Sequence, residues 1–156
     1  MTAAEPLGDL DRLTVADVMR AGLVSCPDAT PLAEVADAMV AHRVHAVFVP
    51  AVREDPVYGD VIAWALVTDL DVARAVAGSV DAATAGELAT AAAPVVRRDA
   101  SLRQAAELMA ERGVTHLIVA EGLLPEGVIA ALDVARAVSA TRSVRNATAP
   151  DYRPAL

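Results

Sequence analysis

Six consecutive residues of this chain occur twice: Asp-Val-Ala-Arg-Ala-Val stands at 71–76 and again at 133–138. An internal repeat constrains the fold more than any local propensity, because each copy must bury the same apolar face. Between these two blocks the offset is 62 residues, from Asp71 to Asp133. Earlier in each half the offset is 70, pairing Thr14 with Thr84, Leu32 with Leu102, Met39 with Met109 and Val49 with Val119. The difference of eight is an insertion in the first half. It falls within 51–60, AVREDPVYGD, where Pro56 and Gly59 read as a long hairpin loop.

Both halves follow one order. A helical turn opens each, TVADVM from Thr14 and TAGELA from Thr84, with Asp17 and Glu87 at capping spacing. A short extended piece follows at 24–26 or 95–97. Next comes an amphipathic helix. Leu32, Val35, Ala36, Met39 and Val40 share one face, as do Leu102, Ala105, Ala106, Met109 and Ala110. Two apolar strands are expected at 46–49 and 61–67, and at 117–119 and 127–130, near-continuous as in sheets covered by helices. A last helix starts near Asp69 or Leu132 and ends by about Gly78 or Thr141. The pattern is an α/β (α+β) fold of two βαββα halves. The divisions expected are an N-terminal segment 1–12, repeats at 13–80 and 81–141, and a loose tail 142–156 without periodicity.

Composition narrows the function classes. The chain has 156 residues, 55% of them apolar but only 3% aromatic, so its core is built from aliphatic side chains. That apolar content argues against disorder. A formal charge of −8 disfavours nucleic-acid binding, while leaving room for one phosphate held locally. One cysteine, Cys26, permits no internal disulfide and no paired-cysteine zinc site. The N-terminal residues lack a signal-peptide pattern, and no apolar run approaches the roughly 18 residues of a membrane span. A cytoplasmic protein without membrane contact is expected. Alanine- and valine-rich composition with Arg in place of Lys fits a high-GC bacterial proteome.

The opener TVADVMR, the block DATPLAEVADAMVAHRVHAVFV and the block ALVTDLDVARA resemble the CBS domain family. So do TAGELA, DASLRQAAELMAERGVTHLIV and GVIAALDVARA in the second half. The resemblance covers about Leu13 to Thr141. It implies two repeats packed with pseudo-twofold symmetry as a Bateman module, two clefts between them, and frequent dimerisation. It implies an adenosine-containing ligand: AMP, ADP, ATP or S-adenosylmethionine. It also implies a regulated partner protein and no catalysis.

In this family a G-x-x-T-x-x-D stretch joins the last strand to the last helix. A carboxylate there can accept from both ribose hydroxyls, and a threonine and helix amides can hold phosphate. The first half keeps Thr68 and Asp71 but has Ala65 for the glycine; the second keeps Gly127 and Asp133 but has Ala130 for the threonine. Each Asp also reads as a helix cap, and both readings stay open. By resemblance, Thr84 faces the Asp71 cleft and Thr14 the Asp133 cleft. His45 with the backbone of Val47, and His116, stand where relatives bring polar groups and cations. Half-buried strand-start residues are the competing reading for both histidines. Because Ala130 cannot donate to a phosphate, the Asp71 cleft is expected to be the tighter one, although Gly127 permits closer backbone approach than Ala65.

Catalytic and metal sites find no support. The three histidines are scattered, with no H-E-x-x-H, and no G-x-S-x-G elbow, Walker loop or G-x-G-x-x-G is present. Cys26, before Pro27, reads as an unreactive thiol. The runner-up function is a ligand-free dimerisation module.

Overall fold

The two blocks at offset 70 fold into matching helices. In a computed structural model that describes residues 8–78, 83–89 and 93–145, α2 spans Leu32–His42 and α5 spans Leu102–Arg112. The other elements are α1 (Val15–Val18), β1 (Arg20–Ala21), β2 (Ala46–Asp55), β3 (Gly59–Thr68) and α3 (Asp69–Val76). In the second half they are α4 (Ala85–Leu88), β4 (Val95–Val96), β5 (His116–Glu121), β6 (Leu124–Ala130) and α6 (Ala131–Arg145). Ser101 caps α5: its hydroxyl accepts from the Gln104 amide at 3.1 Å, and Gln104 Oε1 accepts from the Ser101 amide at 2.9 Å. Both long helices end in a left-handed residue, Arg43 (φ 53°) and Gly113 (φ 62°).

The opening turns change sides. Val15 N–H donates to the Ala100 carbonyl (2.9 Å), Ala16 N–H to Arg98 (2.9 Å), and Leu102 N–H to Leu13 (2.9 Å). Seventy residues away, the mirror set is Ala85 to Thr30 (2.8 Å), Gly86 to Asp28 (2.7 Å), and Leu32 to Ala83 (3.1 Å). Each opener therefore packs into the other half. Val15 and Leu10 join a core with Leu102, Ala105, Met109, Leu117, Val119 and Ile129. Ala85, Leu88 and Ala89 join Val35, Met39, Val47, Val49, Ala65 and Val67. This exchange makes one folding unit of two repeats, since neither core closes without the other half's opener.

The exchange recurs in one of the two sheets, where β1 of the first half joins β6 of the second. One has the order β1-β6-β5-β4, with Ala21 opposite Gly127 and β4 parallel to β5. The other is the β2–β3 hairpin, to which Ser25 adds a parallel bridge at Phe48. The insertion is not a loop, as expected, but an extension of that hairpin. Its ten-residue strands pair without a break from Ala46↔Thr68 to Asp55↔Gly59. Only 56–58 turn, held by Asp55 Oδ1 accepting from the amides of Val57 (2.8 Å) and Tyr58 (2.9 Å). Likewise α6 continues four residues past Thr141, to Arg145; the rest of the expected tail, and the N-terminal segment before Gly8, lie outside the described residues. No helix among the described residues is long and apolar enough to cross a membrane.

Candidate functional site

The seam between the halves opens into a cavity of ≈ 580 Å³. Its walls come from both repeats: residues 20–25 after α1, residues 42–46 between α2 and β2, His116 at the start of β5, β6, and the first turns of α6. Three of the residues singled out from the sequence meet here, His45, His116 and Asp133.

Asp133 occupies the first turn of α6 and is largely buried, with 15% of its side chain exposed. Its Oδ2 accepts from the Ala130 amide at 2.8 Å, capping the helix, and Oδ1 lies 3.7 Å from Arg136 Nη1. The first half repeats the device. Asp71 Oδ2 accepts from the Thr68 amide (2.8 Å) and hydroxyl (2.9 Å), and Oδ1 lies 3.5 Å from Arg74. The capping reading of both aspartates is therefore correct as geometry. In each, one oxygen is committed to the helix cap and the second lies against the arginine one turn on.

His45 Nδ1 sits 2.8 Å from Asp69 Oδ2. That hydrogen bond is the main reason the Asp69 carboxyl lies below the usual carboxylate range. His116 bonds the Thr115 hydroxyl (2.9 Å). Burial pushes its pKa below the usual 6.5; nearby Asp69 and Asp133 pull the other way, and His45 adds to the depression. The balance holds the imidazole toward its neutral form.

The other expected residues lie elsewhere. Thr14 caps α1, its amide (2.8 Å) and hydroxyl (3.0 Å) donating to Asp17, and it lines a separate hollow of ≈ 250 Å³ with Arg97 and Arg98. Val47 is fully buried opposite Val67, so only its backbone could meet a ligand. Thr84 caps α4 and bridges Pro31. Thr68 and Asp71 belong to the counterpart seam. By the 70-residue offset its matching wall is 90–95, of which 90–92 lie outside the described residues.

Three arginines in the cavity wall escaped the sequence reading: Arg20, Arg43 and Arg136. Arg43 carried a signal. It occupies the position of Gly113 in the other half, a left-handed site that costs an L-residue roughly 1 kcal/mol. Arg20 is brought in by β1, and Nη1 donates to the Arg43 carbonyl at 3.4 Å. Gly127 permits that approach. A Cβ on Gly127 would collide with the Arg20 carbonyl oxygen and lie 2.6 Å from Met19 Cε. The close backbone approach inferred for Gly127 is thus made by the chain's own β1.

Among the described residues, no three His, Cys, Asp or Glu side chains are grouped to hold a metal. Cys26 is partly buried, which raises its thiol pKa; a hydrogen bond with Thr30 acts in the opposite sense.

The CBS domain model matches residues 15–78 and, a second time, 85–140. The chain belongs to the CBS domain family. Its two matches coincide with the two pseudo-equivalent halves, so the fold is a mixed α+β CBS pair. Solved structures superpose on it. Hypoxic Response Protein I, crystallised with two coordinated zinc ions, is 26% identical with a TM-score of 0.60, covering 80% of this chain and 98% of its own. A CBS domain pair in complex with 5-methylthioadenosine and S-adenosyl-L-methionine is 19% identical, with a TM-score of 0.68 over 82% of this chain and 97% of that one. CBSX2 in complex with AMP is 22% identical, with a TM-score of 0.63 over 83% and 98%. No curated protein sequence matches the chain.

Proposed function

We propose that this CBS pair is a regulatory module that binds an adenosine-containing ligand, AMP, ADP, ATP or S-adenosylmethionine, and passes its bound state to a partner protein. The carrying observation is the seam cavity that gathers Asp133, His45 and His116 with three arginines. A cavity of this size suits a drug-sized ligand. Asp133 Oδ1, which carries only the long contact to Arg136, suits ribose hydroxyls, and the cations suit phosphate. Solved CBS structures with AMP, with ATP and with S-adenosyl-L-methionine support the choice of ligand class. The role is binding rather than catalysis, in the cytoplasm, with no nucleic-acid or membrane partner. A thermal-shift panel tests it. AMP at about a hundredfold its Kd should add about 2.7 kcal/mol to stability and raise the midpoint. A flat response to all four ligands would leave the alternative, a ligand-free dimerisation module.

Both readings include a homodimer. Val40 on α2 and Val76 on α3 are each 80% exposed, and Leu70 and Val138 are also open on α3 and α6. Helix faces this apolar are seldom left in water. Light scattering at micromolar concentration should give twice the 16.1 kDa chain mass. A monomer there would refute the dimer.

A further inference from the structure

We infer that the seam cavity holds a phosphate subsite made by Arg43 and Arg20, which selects a nucleotide carrying several phosphates over S-adenosylmethionine. The inference rests on reading the cavity as an adenosyl-ligand site and names the chemistry that site prefers. In a chain of net charge −8, the cavity wall sets three arginines against one carboxylate, Asp133. That local excess attracts a polyphosphate and opposes a sulfonium cation. Arg136 lies beside Asp133 and is partly neutralised by it. Among the described residues, no carboxylate is paired with Arg43 or Arg20: the side-chain bond seen for Arg20 runs to the Arg43 carbonyl.

Arg43 supplies an independent observation. It is the one non-glycine residue with positive φ among the described residues, and the pseudo-equivalent position is Gly113. A cation at the end of α2 suits the helix dipole, but a left-handed backbone is not needed for that, and glycine would fit there without strain. A strained residue at the rim of a cavity, with a charged side chain, fits a binding role better than a folding one. Its carbonyl also accepts from Arg20 Nη1, so the two residues meet at the cavity wall, one from the end of α2 and one from β1. Arginine's planar fork matches phosphate geometry.

Calorimetry on the full chain at fixed ionic strength tests this, with adenosine, AMP, ATP, S-adenosylmethionine and inorganic tripolyphosphate as titrants. Affinity should rise from adenosine to AMP to ATP, and ATP should bind at least about tenfold tighter than S-adenosylmethionine. Arg43→Gly should weaken ATP about tenfold or more, leave adenosine unchanged, and keep or raise the unfolding midpoint. Arg43→Lys should recover much of the ATP affinity. Equal binding of adenosine and ATP, or an Arg43→Gly variant that binds ATP like the wild type, would overturn the subsite while sparing the adenosyl reading. Tripolyphosphate binding that Arg43→Gly abolishes, with no response to adenosine, would sustain the subsite and remove the adenosyl reading. No binding of any titrant refutes both.

Discussion

Gly127→Ala should lower the unfolding midpoint by about 6–12 °C, the expected loss of about 3 kcal/mol in a chain of this size. Elsewhere in a strand, glycine to alanine would help by stiffening the unfolded chain. Here the new methyl group meets the Arg20 carbonyl oxygen and Met19 Cε. Met19 can rotate away; the carbonyl cannot. It belongs to β1, which is tied to β6 through Arg20↔Val128, Ala21↔Gly127 and the Gly22 N–H to Glu126 carbonyl bond of 3.0 Å. Relief requires β1 to lift off, with loss of that bond, worth about 1 kcal/mol, and strain in the opener that fills the second core. Differential scanning calorimetry measures the shift. The same variant should bind AMP more weakly, since β1 and the residues after it form one cavity wall. A midpoint equal to that of the wild type would mean that β1 does not cross Gly127 this closely.

Much of this arrangement was legible in the repeat. The 62- and 70-residue offsets identified equivalent positions, and the helices, strand pairs and cap spacings followed from local periodicity. Which half each opener joins was not legible in the periodicity, which shows that Val15 and Ala85 are apolar and inward, not whose core receives them; only the family resemblance set Thr14 and Thr84 against the opposite halves. The insertion was misread for a related reason. Pro56 and Gly59 mark a turn, but the strand ladder on either side is made by backbone groups, and Arg53, Glu54, Asp55 and Asp60 can pair in it as well as apolar residues do. In the cleft, Asp133 was found by its motif and the histidines by their place before a strand. Arg43 was missed because an arginine at a helix end is ordinary. Its register with Gly113 was the informative feature, visible only once the two halves are laid side by side.

Asp133→Ala should weaken AMP binding about ten- to a hundredfold, while Asp71→Ala should leave the tighter binding step in place; the figure corresponds to about 1.5–3 kcal/mol for lost hydrogen bonds to a charged group. The order is the reverse of what the threonine count suggests. Thr68 was credited with a free hydroxyl that Ala130 lacks. In the folded chain that hydroxyl donates to Asp71 Oδ2 at 2.9 Å and accepts from the Asp71 amide at 3.4 Å, so its first use is to cap α3. A ligand must break that capping pair before it can use the hydroxyl, which offsets most of the gain. The Asp133 side gives up no such group, and it faces Arg43, Arg20 and His116. Both substitutions also remove a cap, costing about 0.5–2 kcal/mol of stability, so affinities are to be compared at a temperature well below the lower midpoint. Titration of the wild type and both variants with AMP decides the order. Loss of the tight step in Asp71→Ala alone would place the working site at the other seam and restore the importance of Thr68.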